Sequence, residues 1–424
     1  MTPINKTLVT LLFLLPLVSL DIEAQTSWQK YSDNPVLHGS GSYGIYGDFD
    51  QYEALHPFVI EENGYYRMWY VGVSNSYSVG EAISPDGIFW YTLRGNPRLT
   101  PGPSGSFDAS GIRKISVVRD HDGYKMYYYS PVNGVNKIGM AYSPDGHSWT
   151  KHPGNPVLEP GSQGSWDDAG VWAPMVLYEN NGYKMWYQGT DGTVPEIGFA
   201  SVGYATSSDG IHWTKHENNP VVSHGSAGEF DYYTAGEPFV LHLHGRYHMF
   251  YTSTDASIKN KIGYAFSRNG ITWTKFRGNP VLTSGPSSWD GQGVAAASVI
   301  FKDNEFKMFY VGWGGGRAIG LATAERNMII KEPGTFFETQ RLLETYPNPF
   351  NPTTTVHYKV TKPGQVRINI YDILGREVET LINETKAIGD YSIEWNAQIF
   401  ASGKYFCRMI NDDITEVREL TLLK

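Results

Sequence analysis

At 424 residues, with 46 glycines, 14% aromatic and 18% charged residues, the chain is too long for one ordinary domain and too rich in turn residues for a helical protein. Its formal net charge of -9 argues against a nucleic-acid or anionic-membrane partner and favours a neutral or polar ligand. The single cysteine, Cys407, cannot form an intramolecular disulfide, and we expect it to be buried in a strand.

Residues 1–24 have the pattern of a secretory signal peptide. Lys6 supplies the positive charge, "LVTLLFLLPLVSL" supplies the apolar stretch, and "IEA" at residues 22–24 provides a cleavage site. The mature chain is therefore expected to start near Gln25. The apolar run is too short to span a bilayer comfortably, and no later stretch approaches the ~20 apolar residues that a membrane helix needs. The sequence predicts an exported protein without a transmembrane segment.

An aromatic residue followed by aspartate recurs at intervals of 58, 59, 64 and 59 residues. Counted from each aspartate, position +16 is tyrosine or phenylalanine, +18 is methionine and +20 is tyrosine in every copy. This register indicates an internal repeat of five units. The five copies are Phe49-Asp50, Phe107-Asp108, Trp166-Asp167, Phe230-Asp231 and Trp289-Asp290.

Each unit has the signals of four strands. The segment "APMVLYENNGYKMWYQG" contains an apolar run, an Asn-Gly turn and an alternating strand, which is typical of a β-hairpin. A third strand such as "VGYATS" and a fourth such as "HWTKH" follow. Four strands in ~60 residues form a propeller blade, so we predict an all-β protein whose residues 25–330 form a five-bladed β-propeller.

The fifth unit lacks the segment that forms the fourth strand. A matching segment, "SWQKYSDNPVL", instead begins at residue 27, near the expected mature N-terminus, and resembles "SWTKHPGNPVL" of another unit. We therefore expect Trp28 to Lys30 to form the outer strand of the last blade. This pairing would close the ring and remove its exposed edges.

The pattern changes after a predicted linker at residues 331–344. Segments such as "VRINIYDILGREVETL" and "ASGKYFCRM" predict a small β-sandwich at residues 345–424. This stretch resembles the C-terminal sorting domain of the type IX secretion system at residues 347–352, 370–376 and 402–406. The resemblance implies type IX machinery as a partner and delivery through the periplasm to the cell surface or outside. The alternative is an ordinary accessory sandwich.

Four units join their third and fourth strands through a Ser-x-Asp/Asn-Gly-x-x-Trp turn. We interpret these turns as scaffold, with the acidic or amide side chain capping its own turn and the tryptophan packing between blades. They resemble the Asp-box of sialidases only loosely, because sialidase propellers have six blades and an arginine triad. The turns lie on the face opposite the one where the innermost strands begin.

The internal repeat allows structural residues to be distinguished from functional ones. A residue that the blade needs for packing should recur at the same position in every unit, whereas a catalytic or binding residue need occur only once. Position +6, which opens the innermost strand, is polar and irregular, as expected for a position that faces a ligand. Further unrepeated side chains on the same face are candidate substrate contacts. Position +6 reads His56, Lys114, Ala173, Glu237 and Ala296, and the further candidates are Glu53, Arg113, Trp172, Asp191, Tyr232, Tyr233, Asp255 and Arg317.

Residues 28–328 resemble the five-bladed glycoside hydrolases of families 43, 32, 68 and 130. The segment "VWAPMVLYENNGYKMWY" resembles the family 43 "WAP" segment at residues 172–174, and Glu237-Pro238 matches the position of the family's general acid. Two positions depart from the family pattern. His56 stands where the first blade supplies a base, and Met175 stands where an acid is usual.

Glycosidic cleavage normally needs one protonated carboxyl group and one ionised carboxylate. The resemblance assigns Glu237 as the acid, and we select Glu53 as the second group, with Asp168 and then Asp191 as substitutes. Tyr232, Tyr233 and Trp172 are aromatic residues that could stack on sugar rings. The alternative is that Glu237 and Glu53 only form salt bridges with Arg113, Lys114 or His56.

The segment "HLHGRYH" contains His242, His244 and His248, which resemble a metal-ligand cluster. They fall at the end of the first strand and the start of the second, on the face away from the candidate site. We therefore interpret them as surface polar residues and assign no metal or cofactor.

Two functions remain open. The first is an exported hydrolase that cleaves glycosidic bonds in a polysaccharide or oligosaccharide, which Glu237 and the polar face favour. The second is a non-catalytic carbohydrate-binding or surface-interaction propeller, which His56 and Met175 favour.

Overall fold

The computed structural model describes residues 28–44, 48–193, 199–286, 289–325, 343–360, 363–411 and 414–424. The chain divides into two compact units, Met1–Ile330 and Lys331–Lys424. The predicted signal peptide and most of the predicted linker lie outside the described residues. Across the described ranges, no helix combines the length and the apolar character needed to cross a membrane.

The first unit contains five blades of four strands each. A short strand β1 (Gln29–Lys30) and a 3-10 turn (Ser40–Tyr43) come first. The blades follow in chain order: β2 (Glu53–Glu62), β3 (Tyr65–Val73), β4 (Tyr77–Ser84) and β5 (Tyr91–Thr92); β6 (Arg113–Asp120), β7 (Gly123–Val132), β8 (Val135–Ser143) and β9 (Thr150–Lys151); β10 (Gly170–Glu179), β11 (Gly182–Thr190), β12 (Ala200–Ser207) and β13 (Thr214–Lys215); β14 (Thr234–Leu243), β15 (Arg246–Thr254), β16 (Asn260–Ser267) and β17 (Trp273–Lys275); and β18 (Gly293–Lys302), β19 (Glu305–Trp313) and β20 (Arg317–Glu325).

The N-terminal segment completes the fifth blade, which confirms the predicted ring closure. Strand β1 pairs with β20, with Lys30 opposite Ala322, and Leu37 forms an isolated bridge to Ile319. The Lys30 ammonium group lies 2.5 Å from the buried Asp290 carboxylate. The innermost strands contact one another in ring order, with β18 against β2, so the propeller has five blades.

The repeated aspartates are scaffold, as the sequence indicates. In each blade the aspartate accepts a hydrogen bond from the tyrosine at +20, at 2.7 Å for Tyr70 to Asp50 and 3.4 Å for Tyr310 to Asp290. In four blades a lysine of the outer strand also reaches the same carboxylate. These lysines are Lys30, Lys151, Lys215 and Lys275.

The Asp-Gly-x-x-Trp turns also have the predicted scaffold role. Asp145 Oδ1 accepts the amides of His147 and Ser148 at 2.7 and 2.8 Å. Trp149 packs edge-on against Trp69 of the preceding blade, with ring centroids 6.4 Å apart. The turns therefore join neighbouring blades, and this packing explains their recurrence.

The innermost strand of every blade contains a β-bulge at position +6. The strand pairing shifts register there, and all five +6 residues have positive φ values between 33° and 55°. Few non-glycine residues adopt this conformation, and a bulge re-aims the side chain that it carries. The backbone thus gives position +6 a special direction at the start of each innermost strand.

The second unit consists of two antiparallel sheets and is sandwich-like. One sheet has the order β21 (Leu343–Tyr346), β22 (Thr353–Val360), β25 (Gly389–Asn396), and the other β24 (Glu377–Lys386), β23 (Gly364–Asp372), β26 (Gly403–Asn411), β27 (Ile414–Leu422). Cys407 is fully buried in β26 beside apolar residues such as Ile370 and Met409, which confirms its prediction as a buried strand cysteine.

Candidate functional site

Glu237 lies on the bulge of the fourth blade, within β14. Its backbone amide donates to the side-chain oxygen of Gln188 in the third blade at 2.9 Å. Its carboxylate oxygen Oε2 accepts a hydrogen bond from Thr252 Oγ1 at 2.8 Å, and Oε1 lies 3.7 Å from His56 Nε2. The side chain is 20% exposed. A carboxyl group is therefore held at a fixed position that solvent still reaches.

His56 and Lys114 stand beside this carboxylate. Burial lowers the pKa of His56 to about 4; the Glu237 carboxylate opposes this shift, and Lys114, Arg317 and Arg113 reinforce it. His56 Nδ1 accepts the Lys114 amide at 3.3 Å. The Lys114 side chain is buried, which lowers its pKa, and Glu237 partly offsets that effect. At neutral pH His56 is therefore uncharged.

Glu53 is bound by Arg317 in an ion pair with one hydrogen bond, and its Oε2 is buried without a hydrogen-bond partner. Arg317 Nε donates to Oε1 at 2.8 Å, and the second guanidinium nitrogen lies 2.6 Å from Oε2. The Arg113 guanidinium lies over the Tyr77 ring at 4.2 Å from its centroid. The predicted second carboxylate therefore has a cationic partner, but the partner is Arg317 rather than the Arg113, Lys114 or His56 weighed from the sequence.

Three residues of this site were missed by the sequence analysis. Tyr129, Gln188 and Thr252 all occupy position +21, where the other two blades have valines, Val71 and Val311. Burial raises the pKa of Tyr129 to about 12; the Glu237 carboxylate adds to this rise, and Arg113 opposes it. The +21 column is irregular in the same way as +6, so the criterion that selected Glu237 could have selected these residues as well.

Side chains of the preceding blade bond to backbone amides at or near the bulges. Besides His56 and Gln188, Thr252 Oγ1 accepts the Ala296 amide at 2.9 Å. Ser298 and Ser116 accept amides three residues beyond the bulge, those of Val59 and Val176, at 2.9 and 3.0 Å. Since buried amides need an acceptor, these bonds explain part of the irregularity of the columns without any ligand.

Three predicted acids instead bond within their own loops. Asp168 accepts the Gly164 amide at 2.6 Å. Asp191 accepts the amide and hydroxyl of Thr193 at 3.0 and 2.8 Å. Asp255 accepts the Ser257 amide at 2.9 Å and pairs with Lys261. The described contacts thus join Glu53, Arg317, Arg113, Lys114, His56 and Glu237 to one another but do not add these aspartates.

Two of the three predicted aromatic contacts, Tyr232 and Tyr233, form a group with Phe199. Tyr232 and Tyr233 lie against each other, with ring centroids 4.7 Å apart, and both contact Phe199. Phe199 in turn stacks on His224 at 4.5 Å. Trp172 precedes the bulge of the third blade and pairs with Gln188 across β10 and β11. Trp172 is thus one strand away from the residue that binds the Glu237 amide.

The interpretation of all three histidines of "HLHGRYH" as surface residues was wrong for one of them. His248 is only 4% exposed and its Nδ1 lies 2.7 Å from the Tyr264 hydroxyl; burial lowers its pKa to about 4. His242 stacks on Tyr247 and bonds to Glu179 at 2.7 Å. His248 lies in β15, where all residues after Arg246 are buried, so its side chain is packed within the blade.

In the described part of the chain, one group of three side chains has metal-ligand spacing. Asp120, His121 and Asp122 present ligand atoms within 4.8 Å of one another in an exposed turn. Asp120 is already bonded to Lys125 and Tyr183. The turn therefore resembles a scaffold contact between blades, and it lies at the opposite end of the innermost strand from Lys114.

Comparison with known families agrees with this architecture. Residues 174–319 match the model described as glycosyl hydrolases family 32 N-terminal domain. Residues 344–422 match the secretion system C-terminal sorting domain, so the chain carries an export signal for the cell surface or the outside. The predicted resemblances to propeller glycosidases and to a sorting domain are confirmed.

Individual proteins are also similar to this chain. The chain is 31% identical over 242 residues to "Uncharacterized protein Rv1502" of Mycobacterium tuberculosis, covering 54% of this chain and 76% of that protein. It is 30% identical over 125 residues to "1,2-beta-oligomannan phosphorylase" of Thermoanaerobacter sp. (strain X514), covering 28% and 41%. A solved structure described as "The GH130 family of mannoside phosphorylases contains glycoside hydrolases that target beta-1,2 mannosidic linkages in Candida mannan" matches with a TM-score of 0.58 at 18% identity, covering 73% and 96%.

Proposed function

We propose that this chain, which belongs to the same protein family as Rv1502 of Mycobacterium tuberculosis, is an exported glycoside hydrolase that acts on an oligosaccharide or polysaccharide. Glu237 is the general acid that protonates the leaving oxygen. One observation carries the proposal: Glu237 is the single carboxylate at the bulged +6 position, and its oxygens contact only Thr252 and His56 among the described residues.

The contacts of Glu237 suit an acid that acts on a sugar. The Gln188 bond fixes its backbone, and the Thr252 bond orients one carboxylate oxygen. The other oxygen faces a neutral imidazole rather than a cation at 3.7 Å. A side chain that is 20% exposed can meet a substrate, and a positioned proton donor contributes roughly 100- to 10,000-fold to the rate.

Glu53 is our choice for the second carboxylate. Arg317 is a cationic partner that orients it, and an ionised carboxylate can activate water or stabilise positive charge on the sugar. Arg317 donates a hydrogen bond only to Oε1, whereas the buried Oε2 has no hydrogen-bond partner. Asp168 is a weaker choice, because it caps its own loop.

A second function is a carbohydrate-binding propeller without catalysis. The ion pair between Arg317 and Glu53, together with His56 and Met175 at positions where the resemblance implies acids, favours this reading. Tyr232 and Tyr233 would then bind sugar rings without cleavage. Both functions predict carbohydrate binding, and only the first predicts a product.

The test is a paired measurement on Glu237→Gln, which keeps the shape of the side chain but cannot donate the proton. The purified full chain is screened on a glycan panel for binding and for release of reducing ends. The panel includes β-1,2-mannan oligosaccharides, with and without orthophosphate, because the names and descriptions of relatives mention those linkages and phosphorylases. We expect activity to fall roughly 100-fold or more while melting temperature and binding hardly change.

Asp231→Asn is the matched control, because Asp231 is the scaffold carboxylate of the same blade and bonds to Tyr251 and Lys275. It should lower the melting temperature instead. Full activity in Glu237→Gln would refute its role as the general acid, and binding without any product in the intact chain would favour the binding propeller.

A further inference from the structure

The site around Glu237 contains more positive than negative charge. Lys114, Arg113 and Arg317 all act on His56, and the negative groups linked to them are Glu53 and Glu237. Arg317 is matched by Glu53. His56 contributes no charge at neutral pH, because its pKa is about 4. Three basic side chains therefore share two carboxylates.

Lys114 is buried to an extent that is unusual for lysine. The residue is 3% exposed, and lysines are almost never this buried unless they are paired. Within the described ranges, no hydrogen bond or ion pair joins its ammonium group to a carboxylate. Glu237 is near enough to affect the lysine electrostatically, but its oxygens face Thr252 and His56. The ammonium group thus lacks a close anionic partner.

Arg113 adds a second incompletely paired group. Its Nε is buried without a hydrogen-bond partner, whereas the guanidinium covers the Tyr77 ring. Arg113 and Lys114 are adjacent at the bulge of β6, where the pairing passes from Arg113 opposite Tyr129 to Ile115 opposite Tyr128. Buried donors without acceptors cost free energy. A bound molecule that supplies an acceptor to this pair of basic side chains would lower that cost.

From these contacts we propose that Lys114 and Arg113 form a subsite for the carboxylate of an acidic sugar, so that the substrate is a uronate-containing glycan. The inference rests on the proposed carbohydrate function of the same face. A carboxylate would accept a bond from the Lys114 ammonium group, beside the Arg113 guanidinium, and would make the acidic groups of the site equal in number to the basic ones. Tyr77 and Tyr129 provide the hydroxyl and ring surface that a sugar also requires.

The test uses the full chain and a panel of galacturonate, glucuronate and mannuronate oligosaccharides. Each is paired with its carboxyl-reduced counterpart, which has the same linkage and length but no charge. We expect at least one acidic member to bind about 10- to 100-fold more tightly than its reduced form, as for hydrogen bonds to charged groups. Equal binding of every pair, or no binding of any acidic member, overturns the proposal.

Lys114→Met separates recognition from packing, because methionine keeps much of the chain length and removes the charge. The preference for the acidic form should fall toward one, while affinity for the neutral form is kept and the melting temperature rises or stays constant. A structural lysine would instead lower the melting temperature and leave the preference unchanged, which contradicts the proposal. Lys404→Met in the second unit, where the side chain is 61% exposed, controls for the change in net charge.

Two further arms separate this inference from the proposed hydrolase. The acidic preference should persist in Glu237→Gln; if it does while no glycan is cleaved by the intact chain, the hydrolase fails and the subsite stands. If neutral glycans are cleaved without an acidic preference, the subsite fails and the hydrolase stands. If orthophosphate alone occupies the site and sugar phosphates are released, Lys114 and Arg113 bind phosphate. The assignment to acidic sugars is then overturned.

Discussion

Removal of residues 25–37 should unfold the propeller, because this segment supplies the outer strand of the fifth blade. Trp28 is 7% exposed and packs against Phe250 and Phe306, and truncating such a tryptophan costs about 3–5 kcal/mol. Leu37 is 3% exposed, which adds about 2–5 kcal/mol. Asn34 accepts the Leu321 amide at 2.7 Å and donates to its carbonyl at 2.8 Å, worth about 1 kcal/mol per bond.

Even the lower ends of these ranges reach roughly 6 kcal/mol, which is comparable to the whole stability of about 5–15 kcal/mol of an ordinary domain. Thermal unfolding followed by circular dichroism should show no cooperative propeller transition in the truncated chain. Removal of residues 25–27 alone is the control, since it leaves every contact of Trp28, Asn34 and Leu37 in place.

A single substitution gives a graded form of the same test. Asn155 makes the same two bonds to Met140, at 2.8 and 2.9 Å, but in a blade whose chain is continuous. Asn34→Ala and Asn155→Ala should therefore lose similar stability if the N-terminal segment is an ordinary part of its blade. A truncated chain that melts within about 3 °C of the intact one, equivalent to roughly 1 kcal/mol, would refute the reasoning.

Three further outcomes are expected. Because burial holds the pKa of His248 at about 4 against 6.5 unfolded, His248 should contribute about 2 kcal/mol to the stability lost between pH 7 and pH 5, as the unfolded chain takes up a proton there that the folded one does not; His248→Gln should reduce the loss by this amount in denaturant titrations, and an unchanged loss would be evidence against it. Burial raises the pKa of Cys407 to about 12, so an aromatic disulfide reagent at pH 8 should label it only after denaturation; rapid labelling of the native chain would contradict its burial. Deletion of residues 345–424 should leave the protein in the periplasm of a host with the type IX pathway, and normal surface delivery would argue against the sorting role.

The repeat made the fold predictable in detail. Five aspartates with a tyrosine twenty residues later fixed the number of blades, and the displaced "SWQKYSDNPVL" identified the closing strand. Each feature is a packing requirement that recurs, such as the bond from Tyr70 to Asp50. Recurrence reveals such requirements within one sequence, because every blade solves the same packing problem.

The bulge at +6 could not be predicted, because the residues that usually mark a left-handed backbone are absent from that position. Left-handed backbone usually favours glycine or asparagine, yet the five residues here include Ala173, Glu237 and Ala296. Asp168, Asp191 and Asp255 were equally ambiguous. An aspartate that caps a turn and one that binds substrate look alike in sequence, and only the bonds to Gly164, Thr193 and Ser257 separate them.

The irregular columns have two causes, and His56 illustrates both. Its Nδ1 accepts the amide of Lys114, which is a contact between blades, while its Nε2 faces the carboxylate of Glu237. Glu237 differs, because its contact with the neighbouring blade is made by its backbone amide, and the corresponding amide of Ala296 is satisfied without any polar side chain at that position. An alanine would therefore meet the structural requirement at 237. The fold does not require a carboxylate at this position, and this is the reason to assign Glu237 a chemical role.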